Sequence, residues 1–158
     1  QLRRTSEQRL ALLRNLATMT RIGLLTPMSD TAQFIVSTLS DPAIITKSRV
    51  HPIQILLGLL TYGEGHGLRG SNTWDPNTQV VDALDAAFYL AFGNVQPAKT
   101  KHLLGLDVSG SMGDEIQPGL SACVGAAAMA LITARTEPTW TANIPLVVVR
   151  SMPVWVSS

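Results

Sequence analysis

The chain has 158 residues, 46% of them apolar and 15% charged, with one cysteine. At roughly 100–200 residues per domain this is one domain or two small ones. The composition excludes long-range disorder, and a lone Cys123 excludes a disulfide scaffold within the chain. The net charge of +1 is unevenly spread: residues 1–70 hold eight basic and four acidic groups, residues 71–158 four basic and seven acidic.

The first half reads as helices punctuated by caps. Thr5-Ser6-Glu7-Gln8 fits a capping box, with Leu12, Leu16 and Met19 behind it on one apolar face. Pro27 and Ser29-Asp30 stop this helix and start the next. Asp41-Pro42, His51-Pro52 and Asp75-Pro76 share one device, a proline at a first helical position where no intrahelical bond is lost. Val80, Leu84, Ala87, Phe88 and Ala91 form the stripe of the last helix in this half. Residues 1–92 therefore hold about five helices and no strand pattern. Such pairs build bundles or helical-repeat solenoids, and no fixed period selects between them.

Gly63-Glu64-Gly65-His66-Gly67-Leu68-Arg69-Gly70 interrupts the helices, and its glycines call for left-handed or closely approached backbone. It is a poor phosphate cradle, since no Gly-Lys-Ser/Thr follows. It serves either as a tight structural loop or as a contact through His66 and Arg69.

Gly93 to Lys101 marks a boundary. The run His102–Asp107 reads as a buried parallel strand. Pro118 opens an Ala-rich helix to about Arg135, and Ile144–Val149 and Met152–Val156 read as strands after it. Strand, loop, helix, strand begins a parallel α/β domain. The longest apolar run, Leu120–Ala134, would reach only about 22 Å as a helix, short of a membrane span.

Asp107, Ser109 and Ser111 follow the predicted strand at alternate positions. One carboxylate and two hydroxyls, gathered where α/β sheets place ligands, suit Mg²⁺ or Mn²⁺ with water completing the shell. The same residues would also make an ordinary polar turn. Zinc is not indicated, and no nucleophile elbow surrounds either serine.

The strings "LALLRNLATMTRIGLL", "RVHPIQILLGLLTYGEGHGLRG" and "VVDALDAAFYLAFGNVQP" resemble the end of a TROVE module. "HLLGLDVSGSM", with an Ala-rich helix ending in "TARTE", resembles the opening of a von Willebrand factor A domain. In this order they resemble the Ro autoantigen family of RNA-binding proteins, in its bacterial or phage form, over about residues 7–137. The resemblance implies a mixed fold: all-α helical repeats in 1–98, then a truncated α/β segment of von Willebrand A type in 99–158. The chain, starting at Gln1, then reads as a fragment. Residues 138–158 do not resemble the family, and later loops that would add metal ligands are not in this chain.

The resemblance further implies a cytoplasmic ribonucleoprotein component, without catalysis, that binds small non-coding RNA and misfolded RNA. Arg3, Arg4, Arg9, Arg14 and Arg21 on the first helix, with Lys47 and Arg49 beyond it, are the candidate RNA contacts. The same groups could simply keep a helix face wet. The alternative function is a metal-dependent protein-binding module, in which an acidic group of a protein partner completes the shell of a weakly held Mg²⁺ or Mn²⁺ at Asp107, Ser109 and Ser111.

Overall fold

The computed structural model describes residues 2–67, 71–107 and 109–143. The protein is mostly helical, with small sheet segments, and divides into two compact units, 1–96 and 97–158. The predicted strands Ile144–Val149 and Met152–Val156 lie outside the described residues, as does Arg69.

The first unit contains α1 (Leu2–Arg21), α2 (Asp30–Leu39), α3 (Pro42–Ser48), α4 (Pro52–Gly63), α5 (Thr78–Leu90) and a 3₁₀ turn at Ala91–Asn94. Caps set most of the boundaries. Ser29 accepts from the Ala32 amide at 3.2 Å and Asp41 from Ala43 at 2.8 Å. His51 Nδ1 accepts from Ile53 at 3.3 Å.

Two expected boundaries differ. α1 already runs through Thr5, so the capping box does not form there. The preceding Leu2-Arg3-Arg4 are good helix formers and extend the helix past the cap signal. α5 starts at Thr78 rather than beside Asp75-Pro76, because Asn77 caps it, accepting from Gln79 N at 3.0 Å.

The predicted stripe of α5 is the spine of this unit. Val80, Leu84, Ala87 and Ala91 are fully buried, and Phe88 is nearly so. α5 packs on α2, whose Ile35 and Leu39 are buried, and on α4, whose Ile55 and Leu59 are buried. Asn94 fastens the far end: its amide donates to the carbonyls of Ile45 at 3.1 Å and Val50 at 2.9 Å. Before residue 93, the described residues show no strand, only a single antiparallel bridge between His66 and Thr73.

Asp85 carries a raised carboxyl pKa, through burial first and then the Asp82 charge one turn earlier. A raised carboxyl pKa means the folded state holds its proton more tightly, so this group lowers stability as pH rises through its folded pKa. Asp85→Asn is therefore expected to raise the thermal midpoint modestly at neutral pH. The gain should vanish in acid, where the aspartate is protonated in both states; paired melts at the two pH values check it.

The second unit contains β1 (His102–Gly105), a 3₁₀ turn at Gly110–Gly113, β2 (Glu115–Gln117), β3 (Leu120–Ser121), α6 (Ala122–Thr136) and β4 (Trp140–Asn143). β1 and β4 pair in parallel, His102 opposite Trp140 and Gly105 opposite Asn143. The strand thus ends two residues before Asp107, and it is not buried throughout, since Leu103 is 78% exposed.

Pro118 does not open a helix. Pro118-Gly119 is the turn of the β2–β3 hairpin, with Gly119 at φ +77, a conformation suited to glycine. α6 starts four residues later, capped by Ser121 through Val124 N at 3.3 Å. The small residues of α6 let it approach this hairpin closely: a Cβ on Gly125 would lie 3.0 Å from Ile116 Cδ1.

Glu137, just past α6, anchors the start of this unit. Its carboxylate accepts from the Ala98 and Lys99 amides at 2.6 and 3.0 Å, and His102 Nε2 lies 3.4 Å away. Lys99 adopts φ +57, which turns consecutive amides toward the carboxylate.

Candidate functional site

In the first unit the candidate surface is a cleft between α1 and α4. Gly58 in α4 is among its lining residues, and a Cβ there would meet Leu13 Cδ2 of α1 at 3.4 Å, so the helices come close at this point. The cleft holds about 370 Å³ and is lined by Leu13, Arg14, Ala17, Gln54, Leu57 and Thr61, among others. A second hollow of about 200 Å³ shares Ala17 and Thr61 and adds Arg21, Asn72 and Trp74.

Arg14 and Arg21 are seven residues apart on α1, so they share one face about 10 Å apart along the axis. Both are exposed. Arg21 Nη1 donates to Asn72 Oδ1 at 3.1 Å, which ties the end of α1 to the segment after the glycine loop.

Backbone bonds shape that segment. Trp74 N donates to Gly65 O, and Gly67 N to Asn72 O, each at 2.8 Å. Gly65 sits at φ +72, and a Cβ there would meet Trp74 O at 2.9 Å, so this glycine is required by conformation and by space. The Trp74 indole is fixed by its Nε1 donation to Tyr62 O at 2.9 Å. His66 is exposed, and its ring lies 4.0 Å from Glu64, a loose pair.

Tyr62 joins these parts. Its hydroxyl lies 2.8 Å from Thr20 Oγ1 and accepts from Asn77 N at 3.0 Å. Asn77 in turn donates to Leu25 O at 3.2 Å. One buried phenol therefore connects α1, the end of α4 and the start of α5.

The other predicted basic residues fall elsewhere. Lys47 lies in the last turn of α3, and Arg49 closes that helix at φ +52; both are exposed. Arg3, Arg4 and Arg9 lie on α1, and their side chains are outside the described set. Trp74, Asn72, Gln54 and Tyr62 were not among the residues the sequence singled out. Their shared position arises only from the packing of α4 and the glycine loop on α1.

In the second unit the loop after β1 gathers Asp107, Ser109 and Ser111. Asp107 Oδ1 accepts from Ser109 N at 2.8 Å, and Oδ2 accepts from Ser109 Oγ at 3.1 Å. Ser109 Oγ and Ser111 Oγ lie 3.0 Å apart. All three residues are exposed. One carboxylate and two hydroxyls thus converge on one side of the loop, a set of hard oxygen donors that fits Mg²⁺ or Mn²⁺.

Comparison with known proteins follows the same lines. A family model described as the TROVE domain matches residues 8–60. "RNA-binding protein RO60" of Deinococcus radiodurans is 55% identical over 131 residues, 80% of this chain and 25% of the relative. The protein of the same name from Caenorhabditis elegans is 41% identical over 128 residues, 80% of this chain and 20% of the relative. The crystal structure of the Deinococcus radiodurans RO (RSR) protein superposes with a TM-score of 0.77 at 51% identity, over 84% of this chain and 28% of that one. The chain spans about a quarter or less of the length of these curated relatives.

Proposed function

The chain belongs to the Ro family, and on that premise we propose that it contributes an RNA-binding surface to a ribonucleoprotein component of the cytoplasm. The relatives from both organisms carry RNA binding in their names. The RNA taken is small non-coding RNA and misfolded RNA, and the activity is binding, with no catalytic step. Among the described residues, no helix is long and apolar enough to cross a membrane.

The observation that carries the reading is the exposed placement of Arg14 and Arg21 on one face of α1, Arg14 lining the α1–α4 cleft and Arg21 the hollow next to it. Guanidinium groups grip phosphate bidentately and stack on bases. Lys47 and Arg49, exposed at the end of α3, and Arg3, Arg4 and Arg9, on α1, are further candidate contacts of this proposal. His66 and Arg69 of the glycine-rich stretch 63–70 are candidate contacts on the same proposal.

A charge-reversal experiment tests this. Arg3, Arg4 and Arg9 changed together to Glu should weaken RNA binding for all sequences alike. The slope of log K against log salt should flatten by roughly 0.7–0.9 per lost phosphate contact. Unchanged binding in a mobility assay would remove these arginines from the interface. RNA binding absent from the unsubstituted chain would overturn the reading.

The convergence of Asp107, Ser109 and Ser111 supports a second reading, a von Willebrand A-type protein-binding module. Asp107 would hold Mg²⁺ or Mn²⁺ with the two hydroxyls, and the metal would supply a Lewis-acidic anchor for a partner's carboxylate. Affinity on this reading needs divalent cation and varies little with salt, whereas RNA binding falls steeply as salt rises.

A further inference from the structure

Glu137 stands where a negative charge is disfavoured. It closes the C-terminal end of α6, where the last carbonyls present the negative end of the helix dipole. Its side chain is only 7% exposed. A carboxylate so placed is tolerated only where donors replace the lost water. Among the described residues, no lysine or arginine pairs with it. The donors come instead from the segment that precedes β1. Ala98 N donates to Oε1 at 2.6 Å and Lys99 N to Oε2 at 3.0 Å, so both carboxylate oxygens are engaged. His102 Nε2 lies 3.4 Å from Oε1 and 3.1 Å from Thr100 Oγ1.

The donor segment is itself under strain. Lys99 holds φ +57, a left-handed conformation that a residue with a Cβ keeps only when its surroundings impose it. The bond from its own amide to Glu137 imposes it here. Residues 98–101 are all exposed, so no buried side chain fastens them. The segment is therefore closed by one carboxylate and loaded to open.

We propose that Glu137 is the catch of a releasable latch, whose charge holds the strap 97–101 shut against the end of α6. The latch lies wholly within the second unit. β1 keeps its own ladder to β4 from His102 onward, so release is confined to the strap. Released, five residues become free chain of up to about 18 Å ahead of β1, with Lys99 and Lys101 on it. Shape alone does not work the catch. A side-chain amide in place of the carboxylate accepts from one backbone N–H and turns its NH₂ on the other, donor against donor.

The test uses the whole 158-residue chain, with hydrogen exchange and limited trypsin digestion both read by mass spectrometry. In the unsubstituted chain the Ala98 and Lys99 amides should be protected. Glu137→Gln should speed their exchange, and cleavage after Lys99 and Lys101, by roughly tenfold to a hundredfold, the factor supplied by a bond or two to a charged acceptor. Glu137→Ala removes both acceptors and should equal or exceed that effect. Cleavage after Arg135, exposed within α6, should stay at the unsubstituted rate.

Unprotected Ala98 and Lys99 amides in the unsubstituted chain would overturn the latch. So would variants that exchange and digest like it. A rise at Arg135 in step with Lys99 and Lys101 would mean that Glu137 holds the whole unit folded, which also overturns a local release. Release by Glu137→Ala but not by Glu137→Gln would show that shape suffices and that the charge is not the catch.

Discussion

Tyr62→Phe should destabilise the first unit by about 2–3 kcal/mol, although it removes one oxygen atom. The Thr20 hydroxyl has a single proton, and it goes to Leu16 O at 3.0 Å. The 2.8 Å contact between Thr20 Oγ1 and Tyr62 Oη must then run the other way, with tyrosine donating. The lone pairs of Tyr62 are left to accept from Asn77 N at 3.0 Å. Phenylalanine deletes both bonds. Tyr62 is 2% exposed and Asn77 4%, so water cannot replace the lost partner of the Asn77 amide without opening the structure. A buried N–H without a partner costs about 1–3 kcal/mol, beyond about 1 kcal/mol for the other bond.

The measurement is urea denaturation followed by helical circular dichroism. The midpoint should fall with an unchanged slope, since the surface exposed on unfolding is the same. Thr20→Val is the companion. It removes the acceptor for the tyrosine but leaves the Asn77 amide bonded, and should cost about 1 kcal/mol. Similar costs for the two variants would mean that the Asn77 bond adds nothing.

Tyr62 was not visible as a hub from sequence, and the reason is physical. Its partners, Thr20 and Asn77, are 42 and 15 residues away. A sequence shows periodicity and local capping, and these read well here. The buried stripe from Val80 to Ala91 and the helix starts at Ser29-Asp30, Asp41-Pro42 and His51-Pro52 all rest on neighbours within one or a few turns. Errors arose where two local signals competed. Thr5 could have capped a helix, yet the residues before it were also good helix formers. Pro118 could have opened a helix, yet the glycine after it completed a turn.

The same distinction separates the candidate sites. Asp107, Ser109 and Ser111 lie within five residues, so one loop conformation brings them together and spacing alone suggests it. The α1–α4 cleft and the hollow beside it draw on residues from 10 to 74, through a glycine contact and a folded-back loop. Their arginines could be chosen from charge and helical spacing. The tryptophan of the second hollow could not, because nothing near Trp74 in the chain announces that α1 lies across from it.

Asp107→Ala should abolish Mn²⁺ binding to the second unit. The three donors provide one negative charge, so a divalent ion held there would keep several waters and bind weakly. Asp107 is the charged member. Its removal leaves two neutral hydroxyls, too little to displace water from a strongly hydrated ion. The substitution also deletes the acceptor for Ser109 N and Ser109 Oγ, which loosens the loop that carries both serines. Ser109→Ala is the gentler variant: it keeps the charge and the bond from Ser109 N, and should weaken Mn²⁺ rather than abolish it. Calorimetric titration with Mn²⁺ reads both effects, while circular dichroism checks that the helical unit stays folded. Affinity retained after Asp107→Ala would place the ion at another site. Abolition by Asp107→Ala with no effect of Ser109→Ala would leave the carboxylate as a ligand and remove the Ser109 hydroxyl from the shell.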